Sequence, residues 1–71
     1  MDGKEIGARI CKLRKDYKMT KRFMAKAIGV GYSTACAYEY GTRIPSDEVK
    51  IRIAKLFGVS VEDLFYALEN Q

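Results

Sequence analysis

The stretch MTKRFMAKAIGVGYSTACAYEYGTRIP, from Met19 to Pro45, decides how this chain folds. Thr20 is a good amino-terminal cap, because its hydroxyl can accept from an amide in the first helical turn. Met19 before it and Met24 four residues on are placed to form a hydrophobic staple. Ala25 is small enough to let another helix approach, and Ile28 continues the apolar face. Gly29 stops this helix, Val30 packs inward, and Gly31 opens a further helix from about Tyr32 to Tyr40. In that helix Ala35 and Tyr38 point inward, while Tyr32, Ser33, Cys36 and Ala37 point outward and Tyr40 ends it beside Gly41. Two short helices joined by a tight glycine turn are the expected result.

The charges on this stretch work against helix stability. Lys21 and Arg22 fill the first turn of the leading helix, where the macrodipole disfavours cations by about 0.3–1 kcal/mol each. The choice makes sense if an anion sits there, because unpaired first-turn amides and two cations then share one phosphate. Glu39 is the sole acid between Asp16 and Asp47. A surface so nearly free of acids suits a polyanion, and nucleic acid is the expected partner.

Outward from this stretch the remaining chain also reads as helix. Ile6, Ile10, Leu13 and Tyr17 make one apolar stripe on a first helix, with Lys4, Arg9, Lys12, Arg14, Lys15 and Lys18 over much of the rest. Pro45 holds Ile44 extended, and Ser46 caps a fourth helix whose first turn carries Asp47 and Glu48, as the dipole prefers. Ile51 and Ile53 to Phe57 are its expected packing surface, and Gly58 its end. Ser60 with Asp63 forms a capping box for a fifth helix, stapled by Val59 and Leu64 and anchored by Leu64, Phe65 and Leu68. The expected fold is all-α, a compact five-helix bundle in a single domain over residues 1–71, with the helix-turn-helix at about residues 20–40.

Composition narrows the function. Seventy-one residues allow one small core, and 48% hydrophobic with 31% charged residues argues against disorder. Residues 1–43 hold ten Lys or Arg against four acids, and residues 44–71 three against five, so the net charge of +4 belongs to the first part of the chain. No apolar run approaches the eighteen or so residues a membrane span needs, and the amino end has no apolar signal core. Cys11 and Cys36 make no disulfide framework, so a cytoplasmic protein with reduced thiols and no membrane association is expected.

Catalytic chemistry finds no support. The chain has no histidine, hence no imidazole base and no imidazole metal site, and its two cysteines have no base partner in sequence. Gly29-Val30-Gly31 lacks the third glycine, the lysine and the preceding strand of phosphate-binding loops. No enzyme activity, metal, cofactor or small-molecule ligand is expected.

The whole pattern resembles the Cro/CI-type (XRE) family of phage and bacterial repressors. The resemblance covers about Ile6 to Phe65 and rests on Ile6-Gly7, Leu13-Arg14, Met19-Thr20, Met24-Ala25, Ile28-Gly29-Val30, Ser33-Thr34, Glu39, Gly41, Arg43, Pro45-Ser46, Ile53-Ala54-Lys55 and Phe57-Gly58-Val59-Ser60. It implies a lambda-repressor-like domain of five helices with the third in the major groove of double-stranded DNA. Tyr32, Ser33, Cys36 and Ala37 then face base edges, and Lys21, Arg22, Tyr40, Thr42 and Arg43 hold phosphates. It further implies that Arg14 pairs with Glu39 across helices one and three.

Two positions depart from the family. Lys21 stands where it often has Gln, and Gly31 where it often has Ser or Thr. The reading face also lacks Arg, Asn and Gln, the side chains that make bidentate base contacts worth about 1–3 kcal/mol each. Salt-dependent affinity with modest direct readout, or specificity helped by DNA shape, is therefore expected. The resemblance also implies a homodimer on a palindromic operator, for which Phe57, Val61, Phe65, Tyr66 and Leu68 are the candidate apolar surface. The alternatives are an antitoxin-like or adaptor module that keeps the fold without reading DNA, and a redox switch acting through Cys36.

Overall fold

The structure, a computed structural model, describes residues 2–66; Leu68 is among those outside the described residues. Helix α1 spans Gly3–Asp16, α2 Lys21–Ile28, α3 Tyr32–Tyr40 and α4 Asp47–Phe57, and a π-wound fifth helix follows at Glu62–Tyr66. The caps lie where short polar side chains put them. Asp2 accepts from Lys4 N at 2.9 Å, Thr20 from Phe23 N at 3.0 Å, Ser46 from Val49 N at 3.4 Å and Ser60 from Asp63 N at 2.9 Å.

All four α-helices end in one way. An amide two or three residues past the helix reaches back across its last turn, as Met19 N to Arg14 O at 3.0 Å, Val30 N to Ala25 O at 3.0 Å, Thr42 N to Ala37 O at 3.1 Å and Val59 N to Ala54 O at 3.1 Å. This closure needs one left-handed residue. Gly29, Gly41 and Gly58 supply it at φ 74°, 81° and 67°, and Lys18 supplies it for α1 at φ 57°. A side chain in that region costs roughly 1–2 kcal/mol, partly offset by the restriction it places on the unfolded chain. Lys18→Gly is therefore expected to stabilise the fold by about 0.5–1 kcal/mol, read as a raised urea midpoint with an unchanged m-value.

The closing residues Met19, Val30 and Val59 are apolar and pack against the core, while Thr42, at the end of α3, is exposed. The core itself joins Ile6 and Ile10 of α1, Met24, Ala25 and Ile28 of α2, Ala35 and Tyr38 of α3, Ile53 and Phe57 of α4, and Leu64 and Phe65. Tyr17, the last member of the α1 stripe, stays half exposed. Its ring meets Phe57 edge-on at 5.5 Å, and its hydroxyl donates to the Phe57 carbonyl at 2.7 Å, closing the end of α4.

Helix α1 lies across the end of α3 with almost nothing between the two backbones. A Cβ built on Gly7 would fall 2.5 Å from the Tyr38 carbonyl oxygen and closer still to that of Glu39. One on Gly3 would fall 2.6 Å from the Gly41 oxygen, and one on Gly41 2.7 Å from Lys4 Cα. Glycine is required at this crossing by space, and at Gly41 by φ as well.

Two expectations are corrected. Ile51 is 48% exposed rather than packed, because the inward stripe of α4 falls on Lys50, Ile53, Ala54 and Phe57. Lys50 takes the core position that Ile51 was expected to share. Its stem is buried and its ammonium meets the Tyr66 hydroxyl at 2.9 Å, beneath the Phe65 and Tyr66 rings at 5.6 and 5.0 Å. Phe57 and Phe65, offered as dimer surface, are 1% and 3% exposed and belong to the core, which leaves Val61 and Tyr66 half-buried.

Candidate nucleic-acid interface

The first turn of α2 and the outward side of α3 form one surface. No acid stands in the first turn of α2, whereas α4 has Asp47 and Glu48 in its own. Lys21 extends over the Tyr40 ring with its ammonium 5.1 Å from the centroid, and Arg22 lies over the Tyr32 ring at 4.7 Å. Each end of α3 thus carries a cation on an aromatic face, an attraction worth about 0.5–1 kcal/mol at exposed sites. The phenol of Tyr40 raises the Lys21 ammonium above its ordinary pKa, so this charge is present at every working pH.

Between the two rings Ser33 is exposed, and Cys36 and Ala37 are half-buried. Gly31 stands at the cap position before α3 and, having no side chain, provides no side-chain cap. Past its end the Ala37 carbonyl accepts from the Thr42 amide, from the Thr42 hydroxyl at 3.3 Å and from the Arg43 amide at 3.4 Å. Those bonds hold the turn carrying Thr42 and Arg43 against the last turn of α3, with both side chains in solvent. The nine residues named from sequence for base and phosphate contacts accordingly lie on α3, on the first turn of α2 beside it, and on the turn that follows α3.

Behind this surface, Arg14 and Glu39 meet in the interior with side chains 10% and 3% exposed. Arg14 Nε donates to Glu39 Oε2 at 2.6 Å and Nη2 to Oε1 at 3.1 Å, a two-pronged pair. Nη1 donates to the Met19 carbonyl at 2.9 Å, and Nη2 approaches Cys11 Sγ at 3.8 Å. One guanidinium therefore joins α1, the turn leading into α2, and α3. Its bonds to Glu39 raise its pKa from the ordinary arginine value, against the opposing effect of burial.

The pairing of tyrosine with cation was not visible in sequence, since the partners lie on different helices at no fixed spacing. Phe23, exposed on α2 next to this surface, also carried no sequence signal. Among the described residues, no group of three or more Cys, Asp or Glu could hold a metal ion, and no helix is long and apolar enough to cross a membrane.

A bundle in which a glycine turn sets one short helix beside an outward-facing second one, with cations at the first, defines the helix-turn-helix class. The helix-turn-helix family profile matches residues 11–64, and the chain belongs to this family, of the Cro/CI (XRE) type. It is similar to an uncharacterised HTH-type transcriptional regulator of Methanocaldococcus jannaschii, 41% identical over 49 residues, 69% of this chain and 74% of that one. It is 39% identical over 57 residues to an uncharacterised HTH-type transcriptional regulator of Archaeoglobus fulgidus, 80% of this chain and 81% of that one. It is also similar to the cryptic phage CTXphi transcriptional repressor RstR of Vibrio cholerae, 37% identical over 59 residues, 83% of this chain but 53% of the repressor. No solved structure gives a significant match. Members of this family are regulators, and the chain is not an enzyme.

Proposed function

We propose that this chain is a sequence-specific DNA-binding repressor of the cytoplasm, acting as one domain and binding a palindromic operator as a homodimer. Helix α3 enters the major groove, with Tyr32, Ser33, Cys36 and Ala37 toward base edges. Lys21, Arg22, Tyr40, Thr42 and Arg43 hold the backbone of one strand. The observation that carries this reading is the pair of cations at the start of α2, disfavoured by the helix dipole and seated over the two tyrosines that bracket α3. Likeness to the RstR repressor supports the repressing role. Dimerisation places two reading helices about one helical turn apart, with the half-buried Val61 and Tyr66 offered as apolar surface for it.

Binding to random duplex at low salt is expected, and its absence would leave the antitoxin-like alternative. Lys21→Ala should weaken binding to every sequence alike and reduce the slope of log K against log salt by about one unit. Ser33→Ala should instead alter which sequence is preferred. Mass in solution, with and without operator duplex, tests the dimer.

A further inference from the structure

The outward side of α3 has an unusual chemistry for a surface that meets bases. Its two ends are tyrosine rings, each with a cation from α2 on one face. Between them stand Ser33 and two small side chains without a strong hydrogen-bonding group, Cys36 and Ala37. Both are half-buried, so they form a shallow floor rather than protruding readers. Neighbouring inward positions, Ala35 and Tyr38, are committed to the core and cannot turn outward.

Such a floor has little to offer the polar atoms of guanine, adenine or cytosine. One group on the major-groove edge is apolar, the C5-methyl of thymine, and small apolar side chains are its partners. Building on the DNA-binding reading above, we propose that this protein recognises its operator through thymine C5-methyl groups seated on Cys36 and Ala37 between the rings of Tyr32 and Tyr40. Arg22 and Lys21 each lie over one of those rings, and the two rings bound the space in which the methyl groups sit. The ligand class is thus a thymine-bearing duplex edge. Affinity for it depends on methyl burial, while the cations supply the sequence-independent part.

The test uses the duplex selected by the full chain from a random pool, made once with thymidine and once with deoxyuridine throughout. Deoxyuridine keeps every base-pairing group and removes only the methyl. Each buried methyl is worth about fourfold in affinity, so two per half-site give a loss of about 15-fold for each half-site and on the order of 200-fold for a dimer on the whole operator. Affinity for random duplex and its salt slope should stay unchanged. Equal affinity for the thymidine and deoxyuridine duplexes would overturn the proposal and leave DNA binding standing. Failure to bind either duplex, or random duplex, at low salt would overturn both readings.

The double variant Cys36→Ser, Ala37→Ser separates contact from DNA shape. It should lose most of its discrimination between the thymidine and deoxyuridine operators. An undiminished deoxyuridine penalty in this variant would place the effect in the DNA's own deformability and overturn the proposal.

Discussion

Glu39→Ala should lower the free energy of unfolding by about 3–5 kcal/mol, because it leaves the Arg14 guanidinium buried without its counter-charge. A chain of this size has a total stability of about 4–10 kcal/mol. The variant should therefore melt about 15 °C or more below the parent, or fail to fold at all. The loss measures an orphaned charge rather than the worth of the ion pair, so a second experiment is informative. Replacing both partners, as Arg14→Leu with Glu39→Leu, should cost less than the sum of the two single changes. A double-mutant cycle summing within about 0.5 kcal/mol would mean that the side chains act independently. The interaction also bears on function, since Glu39 lies on the helix whose other face carries Cys36 and Ala37. Its bonds to Arg14 help fix how that helix is rotated about its axis.

Gly7→Ala is the second large effect, expected at roughly 3 kcal/mol or more. The added methyl would meet two carbonyl oxygens at the end of α3, and backbone cannot move aside as a side chain can. Relief requires α1 to lift away from α3, and that opens the Arg14–Glu39 contact as well. A matched control is Gly31→Ser, where a Cβ meets nothing within 4 Å and φ is −70°. There a hydroxyl becomes available to cap α3, and stability should change by no more than about 0.5 kcal/mol, upward. Thermal or urea unfolding of the two variants side by side distinguishes close backbone contact from a general intolerance of glycine replacement.

What could be read from the sequence follows from how local each signal is. Thr20, Ser46 and Ser60 cap helices through bonds to amides three residues away, and Gly29, Gly41 and Gly58 end them through their own φ, so these boundaries were legible. The cationic start of α2 was legible for the same reason, as a conflict between Lys21, Arg22 and the dipole of their own helix. Lys18 was not, because a lysine held left-handed looks like any surface lysine until the closure from Met19 to Arg14 is formed. Ile51 was placed in the core instead of Lys50 because a lysine's type says surface, whereas the long stem of Lys50 fills a core position and its ammonium finds the Tyr66 hydroxyl. Phe57 and Phe65 were offered to a partner because apolarity alone does not distinguish a core from an interface. The seating of Lys21 on Tyr40 and of Arg22 on Tyr32 depends on the packing of α2 against α3, which no spacing along the chain encodes.

The bare crossing of Gly3, Gly7 and Gly41 has a practical consequence for anyone wishing to redirect this protein. Main chain meets main chain there, and none of the contacts that seat the third helix against α1 comes from the residues on its solvent side. Libraries at 32, 33, 36 and 37 can therefore be screened for new targets as a cassette, with the chassis held constant from one member to the next.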